Sequence, residues 1–278
     1  MVKLRTNEKA EIAVIGGTGN YDPAIVEDSV ELKVHTPYGP PSDHIIVGSV
    51  KGIKIAFLAR HGRGHTIPPY KINYRANIWA LKQLGVKRII GSNAVGTLQP
   101  EFIKPYEFVV CDQIFDRTLR SSQSFYEGGV VGHVEFADPF CPELRKILIE
   151  TGRKLGLKIH PTPEEEKENK MFTYVCIEGP RFSTRAESLF YKKHDFSVIG
   201  MTLIPESILA RELEICYANV ALITDSDVYG LMPVTAERVA KSMKENVENF
   251  RKLIFAAIDK IPRERNCPCK DILTRALY

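Results

Sequence analysis

The sequence predicts an α/β fold in a single domain, on three observations. Short apolar or β-branched runs alternate with segments whose apolar residues recur every three or four positions, so strands are separated by helices. Those runs end repeatedly in small or polar clusters, where ligands collect in open α/β sheets. No internal repeat and no Pro/Gly/Ser-rich linker interrupts the 278 residues. One domain over 1–278 is therefore expected, with a polar tail at 260–278.

Taken in order, Glu11–Ile15 is a first strand that ends in Gly16-Gly17-Thr18-Gly19-Asn20. Such a turn frees backbone N–H groups to face an anion. It is not a dinucleotide fingerprint, since Asp22 stands where the third glycine belongs and Pro23 replaces an apolar helix. Val30–Val34, Ile45–Val50 and Ile53–Leu58 read as strands, separated by a Pro/Gly-rich loop and by the turn at Gly52, and so as consecutive antiparallel neighbours. The third of them delivers Arg60-His61-Gly62-Arg63-Gly64-His65, two arginines and two histidines within six residues. Arginine's rigid donor fork suits a phosphate or a carboxylate, so this stretch points to a small oxyanion.

Asn73–Leu84 carries helical spacing and stops at Gly85; Val86–Ile90 is the next strand, running into Gly91–Thr97. After the strand Phe108–Cys111 a long polar loop extends to about Asp138 and contains Arg117, Arg120 and His133. Pro142–Leu155 is a helix. Leu157–His160 and Met171–Ile177 are β-like, with the acidic run Glu164–Glu168 as the exposed tip of a hairpin between them. Thr184 and Glu187 form a capping box, so a helix starts there and runs to about Lys193. Phe196–Met201 is a strand ending at Thr202, and Pro205–Glu214 a short helix. Cys216–Thr224 is a strand ending in Asp225-Ser226-Asp227. Thr235 caps a last helix to about Asp259.

Charged residues make up 26% of the chain and hydrophobic ones 44%, which excludes a disordered or fibrous protein. The net charge of +4 comes without a long basic run, so a small molecule rather than nucleic acid is the expected partner. With neither a membrane-spanning run nor a signal-peptide core, a cytoplasmic protein is expected. Cys111, Cys141, Cys176 and Cys216 lie singly in apolar segments and read as small buried hydrophobes. Cys267-Pro268-Cys269 lies in the polar tail without a second pair at zinc-site spacing, so a disulfide is expected there and no metal.

Four strand ends, Gly16–Thr18, Arg60–His65, Ser92–Ala94 and Met201–Thr202, supply the hydroxyl, guanidinium and N–H donors that hold one phosphate. The fifth has the opposite character. Asp225 and Asp227, two apart after an extended run, can face one way, where like-charge repulsion favours keeping a proton on the pair. A protonated carboxyl matches adenine, whose N7 accepts while its N6 amino group donates. A 6-oxopurine presents two acceptors, which an asparagine would suit better.

Ile15-Gly16-Gly17-Thr18-Gly19, Leu58-Ala59-Arg60-His61-Gly62-Arg63, the stretch Asn73–Leu81, the stretch Ile177–Ser188 and Thr224-Asp225-Ser226-Asp227 closely resemble the 5′-methylthioadenosine phosphorylases, in the trimeric branch of the purine nucleoside phosphorylase family. The resemblance runs in order over a core of about 11–259. It implies a mixed, twisted central sheet flanked by helices, no metal or organic cofactor, and a site shared between subunits of a homotrimer or of a hexamer of two trimers. The reaction implied is phosphorolysis of methylthioadenosine to adenine and 5-methylthioribose 1-phosphate, a purine and methionine salvage step, with phosphate as co-substrate. Thr18, Arg60, His61, Asn93, Ala94 and Thr202 would hold that phosphate. Met201 would lie along the ribose and Phe182 on the base. Asp225 would contact N7 and N6 with Asp227 in support, the two forming the catalytic pair. Ser183 and Ala236 stand where base or 5′-group choice is tuned, and His133 would reach a neighbouring subunit's 5′ pocket. The sequence departs from the family at Ser92, Asn93, Gly200 and Val228–Val234. Its tail resembles those of thermophilic members, with Cys141–Cys216 as the candidate for a second bridge. Adenosine is a further substrate allowed by this reading, and the alternative is a broad or 6-oxopurine-preferring phosphorylase acting on inosine and guanosine.

Overall fold

The computed structural model describes residues 8–17, 26–120, 124–227 and 235–277, apart from the side chains of 236 and 238. In chain order the strands are β1 (Ile12–Gly16), β2 (Glu27–Leu32), β3 (Ile45–Val50), β4 (Ile53–Ala59), β5 (Arg88–Thr97), β6 (Phe108–Val110), β7 (Gln113–Arg117), β8 (Glu127–Gly128), β9 (Val130–Val131), β10 (Ile159–His160), β11 (Thr173–Ile177), β12 (Val198–Gly200) and β13 (Cys216–Ser226). The helices are α1 (Tyr74–Gln83), α2 (Pro142–Lys154), α3 (Pro163–Lys167), α4 (Arg185–Lys193), α5 (Glu206–Glu212) and α6 (Ala236–Ala257).

Among the described residues eleven strands form one mixed sheet in the order β10-β6-β13-β5-β1-β4-β3-β2, with β12 also on β5, and β11 and β7 continuing from it. β1, β4, β5 and β13 are mutually parallel at its centre, while β2, β3 and β4 form the expected antiparallel series. Alternation along the central strands sends side chains to two cores. Ala13 and Ile15 of β1 join Ile78 and Leu81 of α1 and Leu209 of α5 on one face. Ile12 and Val14 join Leu144 and Leu148 of α2 and Phe250 and Leu253 of α6 on the other.

Local chemistry sets the helix starts. The Asn73 side chain accepts from the Ala76 N–H at the head of α1, and the Thr184–Glu187 capping box opens α4 as expected.

Four expectations are corrected. The long loop after β6 holds β7 and the β8–β9 hairpin. The run Glu164–Glu168 is no hairpin tip: Thr162 and Glu165 form a second capping box, α3 results, and β10 and β11 pair with other strands. β5 does not stop at Ile90 but runs to Thr97 beside β13, because its small residues let neighbours lie against the backbone. The expected disulfides are not formed: the six cysteines are free, although Cys141, Cys216, Cys267 and Cys269 do lie together.

Gly200, which departs from the family pattern, has a local cause. A Cβ there would collide with the Tyr174 hydroxyl, which occupies that space in the buried core. Gly200→Ala is expected to lower stability by about 1–3 kcal/mol in urea unfolding, as overpacking does, with partial recovery on adding Tyr174→Phe. An unchanged midpoint would show that the ring moves freely.

Candidate active site

Arg60 follows β4 directly and is almost completely buried, as is Glu206 at the head of α5. Their pairing is bidentate, Nε to Oε2 at 2.6 Å and Nη2 to Oε1 at 2.7 Å. Nη1 donates to the Ser92 carbonyl at 2.7 Å and Nη2 to that of Ile15 at 3.4 Å. The buried Tyr217 hydroxyl donates to the same carboxylate at 2.7 Å. Burial opposes the charge on Arg60, but Glu206 outweighs it and holds the guanidinium more firmly protonated than a free arginine. Four of its five N–H groups are thus used inside the protein, which leaves one for a ligand among the described residues.

His61 is fixed by Nδ1, which lies 2.8 Å from the Ile67 carbonyl. Since a carbonyl only accepts, Nδ1 carries the hydrogen and Nε2 presents a lone pair. The ring stacks on His65 with centroids 4.1 Å apart. Burial first, opposed by the Ile67 bond and reinforced by the Arg60 and His65 charges, brings the imidazole down to about 4. His61 is therefore neutral near pH 7.

Farther along β5, Asn93 donates through Nδ2 to the Thr202 hydroxyl and accepts through Oδ1 from Asn219 Nδ2 of β13. All three are buried, whereas Ala94 is the one exposed residue of β5. The strand is thus open at its middle, beside an amide–hydroxyl set that is already ordered.

Ala94 and Gly96 share a face of the strand, and over Gly96 stand the two aspartates. A Cβ on Gly96 would lie 3.0 Å from Asp227 Cβ and 3.3 Å from Asp225 Oδ2. Thr224 donates to Asp225 Oδ1 at 2.6 Å. Asp227 Oδ2 accepts from Ser183 at 2.6 Å and from Ser188, tying the strand end to the head of α4. From Asn93 to Gly96 is about 10 Å of strand, and alternation turns the Asn93 side chain to the face opposite Gly96, so the donors and the carboxylates flank the same end of β5 from its two sides.

Arg120 closes the arrangement. It donates to the carbonyls of Met201 at 2.5 Å, Glu178 at 3.0 Å and Ile204, and so ties the end of β11 to the backbone between β12 and α5.

Of the residues expected from sequence, Arg60, His61, Asn93, Ala94, Thr202, Met201, Ser183, Asp225 and Asp227 are carried on these connected elements. Phe182 is 42% exposed on the loop before α4. His133 lies exposed beside the tail, its N–H donated to the Ala276 carbonyl at 2.8 Å. Thr18 and the Ala236 side chain lie outside the described residues. Sequence reasoning missed Glu206, Tyr217, Asn219 and Ser188 and gave Arg120 no role. Asn219, a lone amide inside an apolar run, carried the plainest signal.

A family model described as the phosphorylase superfamily matches residues 11–259. The S-methyl-5′-thioadenosine phosphorylase of Saccharolobus solfataricus is 51% identical over 278 residues, covering 99% of each chain. That of Thermofilum pendens is 50% identical, covering 97% of this chain and 99% of the relative. Among solved structures, a methylthioadenosine phosphorylase from an antarctic soil metagenomic library superposes with a TM-score of 0.89 at 40% identity, over 98% of this chain and 93% of that one. A point mutant of the adenosine/methylthioadenosine phosphorylase of Schistosoma mansoni, in complex with methylthioadenosine, gives 0.84 at 36% identity over 92% and 93%.

Two outcomes are expected. Glu206→Gln leaves Arg60 a buried, uncompensated charge and should lower unfolding free energy by about 3–5 kcal/mol in urea; a loss under about 1 kcal/mol would deny the pair its structural role. Because unfolded His61 takes up a proton near pH 6.5 and the folded ring only near 4, its contribution is intact above 6.5 and lost as pH falls towards 4. His61→Asn should flatten the wild-type stability slope over that window, and parallel slopes would contradict the assignment.

Proposed function

The chain belongs to the phosphorylase superfamily, among its S-methyl-5′-thioadenosine phosphorylases, and from that membership we propose how its site works. The protein is a pentosyltransferase that cleaves 5′-methylthioadenosine with inorganic phosphate, giving adenine and 5-methylthioribose 1-phosphate. The observation that carries this reading is the division along β5, with ordered donors around Asn93 and Thr202 and a pair of carboxylates over Gly96.

Phosphate is held by the Asn93–Thr202 pair, the backbone at Ala94, the remaining Arg60 N–H and His61, with Thr18 completing the set. Neutral His61, bare at Nε2, accepts from a P–OH group of the monohydrogen phosphate. A phosphate oxygen forms the new bond to C1′ as the bond from C1′ to the purine N9 breaks. The glycosidic electrons pass to the purine, and the bond breaks ahead of full attack, so the ribose is transiently cationic. The phosphate dianion stabilises that cation. Asp225 gives its proton to N7 and accepts from the N6 amino group, discharging the leaving base. Asp227, held by Ser183 and Ser188, supports Asp225 at the base.

Met201, its carbonyl clamped by Arg120, lines the ribose, and Phe182 covers the base. Ser183 and Ala236 tune the choice of base and 5′ group. Phosphate is a co-substrate, and the reaction needs no cofactor. The working form is a homotrimer, alone or doubled into a hexamer, in which His133 serves a neighbour's site, and the enzyme acts in the cytoplasm.

The test is base release from methylthioadenosine, adenosine, inosine and guanosine, each with and without phosphate. Phosphate-dependent release, fastest from methylthioadenosine, is expected; dominance of inosine and guanosine would overturn the base assignment. Asp225→Asn should lower kcat on methylthioadenosine by roughly 100-fold or more, as loss of general-acid catalysis does, and near-normal turnover would remove Asp225 from the mechanism.

A further inference from the structure

Four of the six cysteines, from three separate segments, meet in the core under α2 and α6. Cys141 precedes α2, Cys216 opens β13, and Cys267 and Cys269 come from the tail. All four are buried, and their sulfurs lie within 4.8 Å of one another.

A divalent ion with bonds of about 2.3 Å to four tetrahedral sulfurs spaces them about 3.8 Å apart. Two disulfides would instead sort the sulfurs into two bonded pairs at about 2 Å. The sulfurs form one set, and the contact between Cys216 and Cys267, at 3.3 Å, belongs to neither the CxC pair nor Cys141–Cys216.

The surroundings suit an anionic centre. A divalent ion with four thiolates carries a net charge of −2, which needs nearby positive potential. Cys141 is the N-cap residue of the 13-residue α2, so the positive end of that helix lies at it. Cys267 occupies the same place ahead of the Pro268–Arg275 turn, and the Cys269 N–H faces its sulfur. The buried Arg88 is the strand partner of Cys216 and donates to the Glu264 carbonyl at 2.9 Å, just ahead of the CxC, with Glu143 3.9 Å away. No carboxylate or imidazole belongs to the set. Four sulfur ligands select a thiophilic ion, and a cluster this tight has room for one.

We propose that Cys141, Cys216, Cys267 and Cys269 form a structural tetrathiolate site for a single zinc ion, which fastens the tail to the sheet. Cys216 and Asp225 stand at opposite ends of β13, about 30 Å of strand apart, so the ion takes no part in the reaction. Binding replaces four S–H bonds by four Zn–S bonds and releases the four protons to solvent, with no change of oxidation state.

The test uses the full-length protein, purified without chelator. About one zinc per chain is expected, and cobalt(II) exchanged into the site should show the strong visible bands and the sulfur-to-metal charge transfer of tetrahedral tetrathiolate coordination. Stripping the metal should lower the thermal midpoint and leave all six thiols reactive in denaturant without reductant. The double variant Cys267→Ser, Cys269→Ser should lose the metal and the cobalt spectrum while keeping phosphate-dependent base release at moderate temperature. Thiols that react only after reduction, protein that takes up neither zinc nor cobalt, or metal retained by the double variant would each overturn the proposal. None of these outcomes bears on the phosphorolysis reading, which the phosphate dependence of base release decides separately.

Discussion

The buried pair of Arg60 and Glu206 is the constraint on which the rest of the site depends. Two charges withdrawn from water are tolerated only when they pair closely and are widely hydrogen-bonded, so the pair leaves little freedom to what surrounds it. Through it the end of β4, the Ile15 carbonyl of β1, the Ser92 carbonyl of β5, the head of α5 and Tyr217 of β13 are held in one arrangement. These strand ends are therefore positioned by the protein's own interactions. Such preorganisation is what makes donors effective against developing charge.

From that anchor the site divides by chemistry. Asn93, Thr202 and Asn219 are linked through two amides and one hydroxyl, so the region opening at Ala94 is ordered without being charged. Gly96, three residues along, has no Cβ and admits the two carboxylates against the backbone. A donor-rich region thus lies next to an acidic one on a single strand. The two charges that would develop in the proposed cleavage, positive on the sugar and negative on the base, match that separation.

Periodicity and punctuation made most of the fold legible: the β2–β4 antiparallel series, helix α1, the α4 capping box and the last helix, α6, were all readable. Where the reading failed, a local rule outweighed a pattern. Thr162 and Glu165 cap a helix in what looked like a solvated acidic tip, and the small residues of Gly91–Thr97, which looked like a strand end, continue β5. Residues that bear their chemistry openly, such as Arg60, His61 and Asp225, could be singled out from the sequence. Glu206, Tyr217 and Ser188 act through partners elsewhere in the chain, and only the fold reveals that Arg60 spends four of its five N–H donors inside the protein, two of them on Glu206. The cysteines teach the same lesson, since spacing alone hid the convergence of Cys141 and Cys216 with the tail.

The central claim is that the donor region and the carboxylates act on one glycosidic bond, with phosphate as the group that replaces the base. Phosphorus-31 NMR of the enzyme with methylthioadenosine and orthophosphate, followed alongside adenine release, tests it most directly. A new sugar 1-phosphate resonance growing mole for mole with adenine as orthophosphate declines is the predicted result. Adenine released while the orthophosphate signal stays constant would make the reaction a hydrolysis and contradict the account.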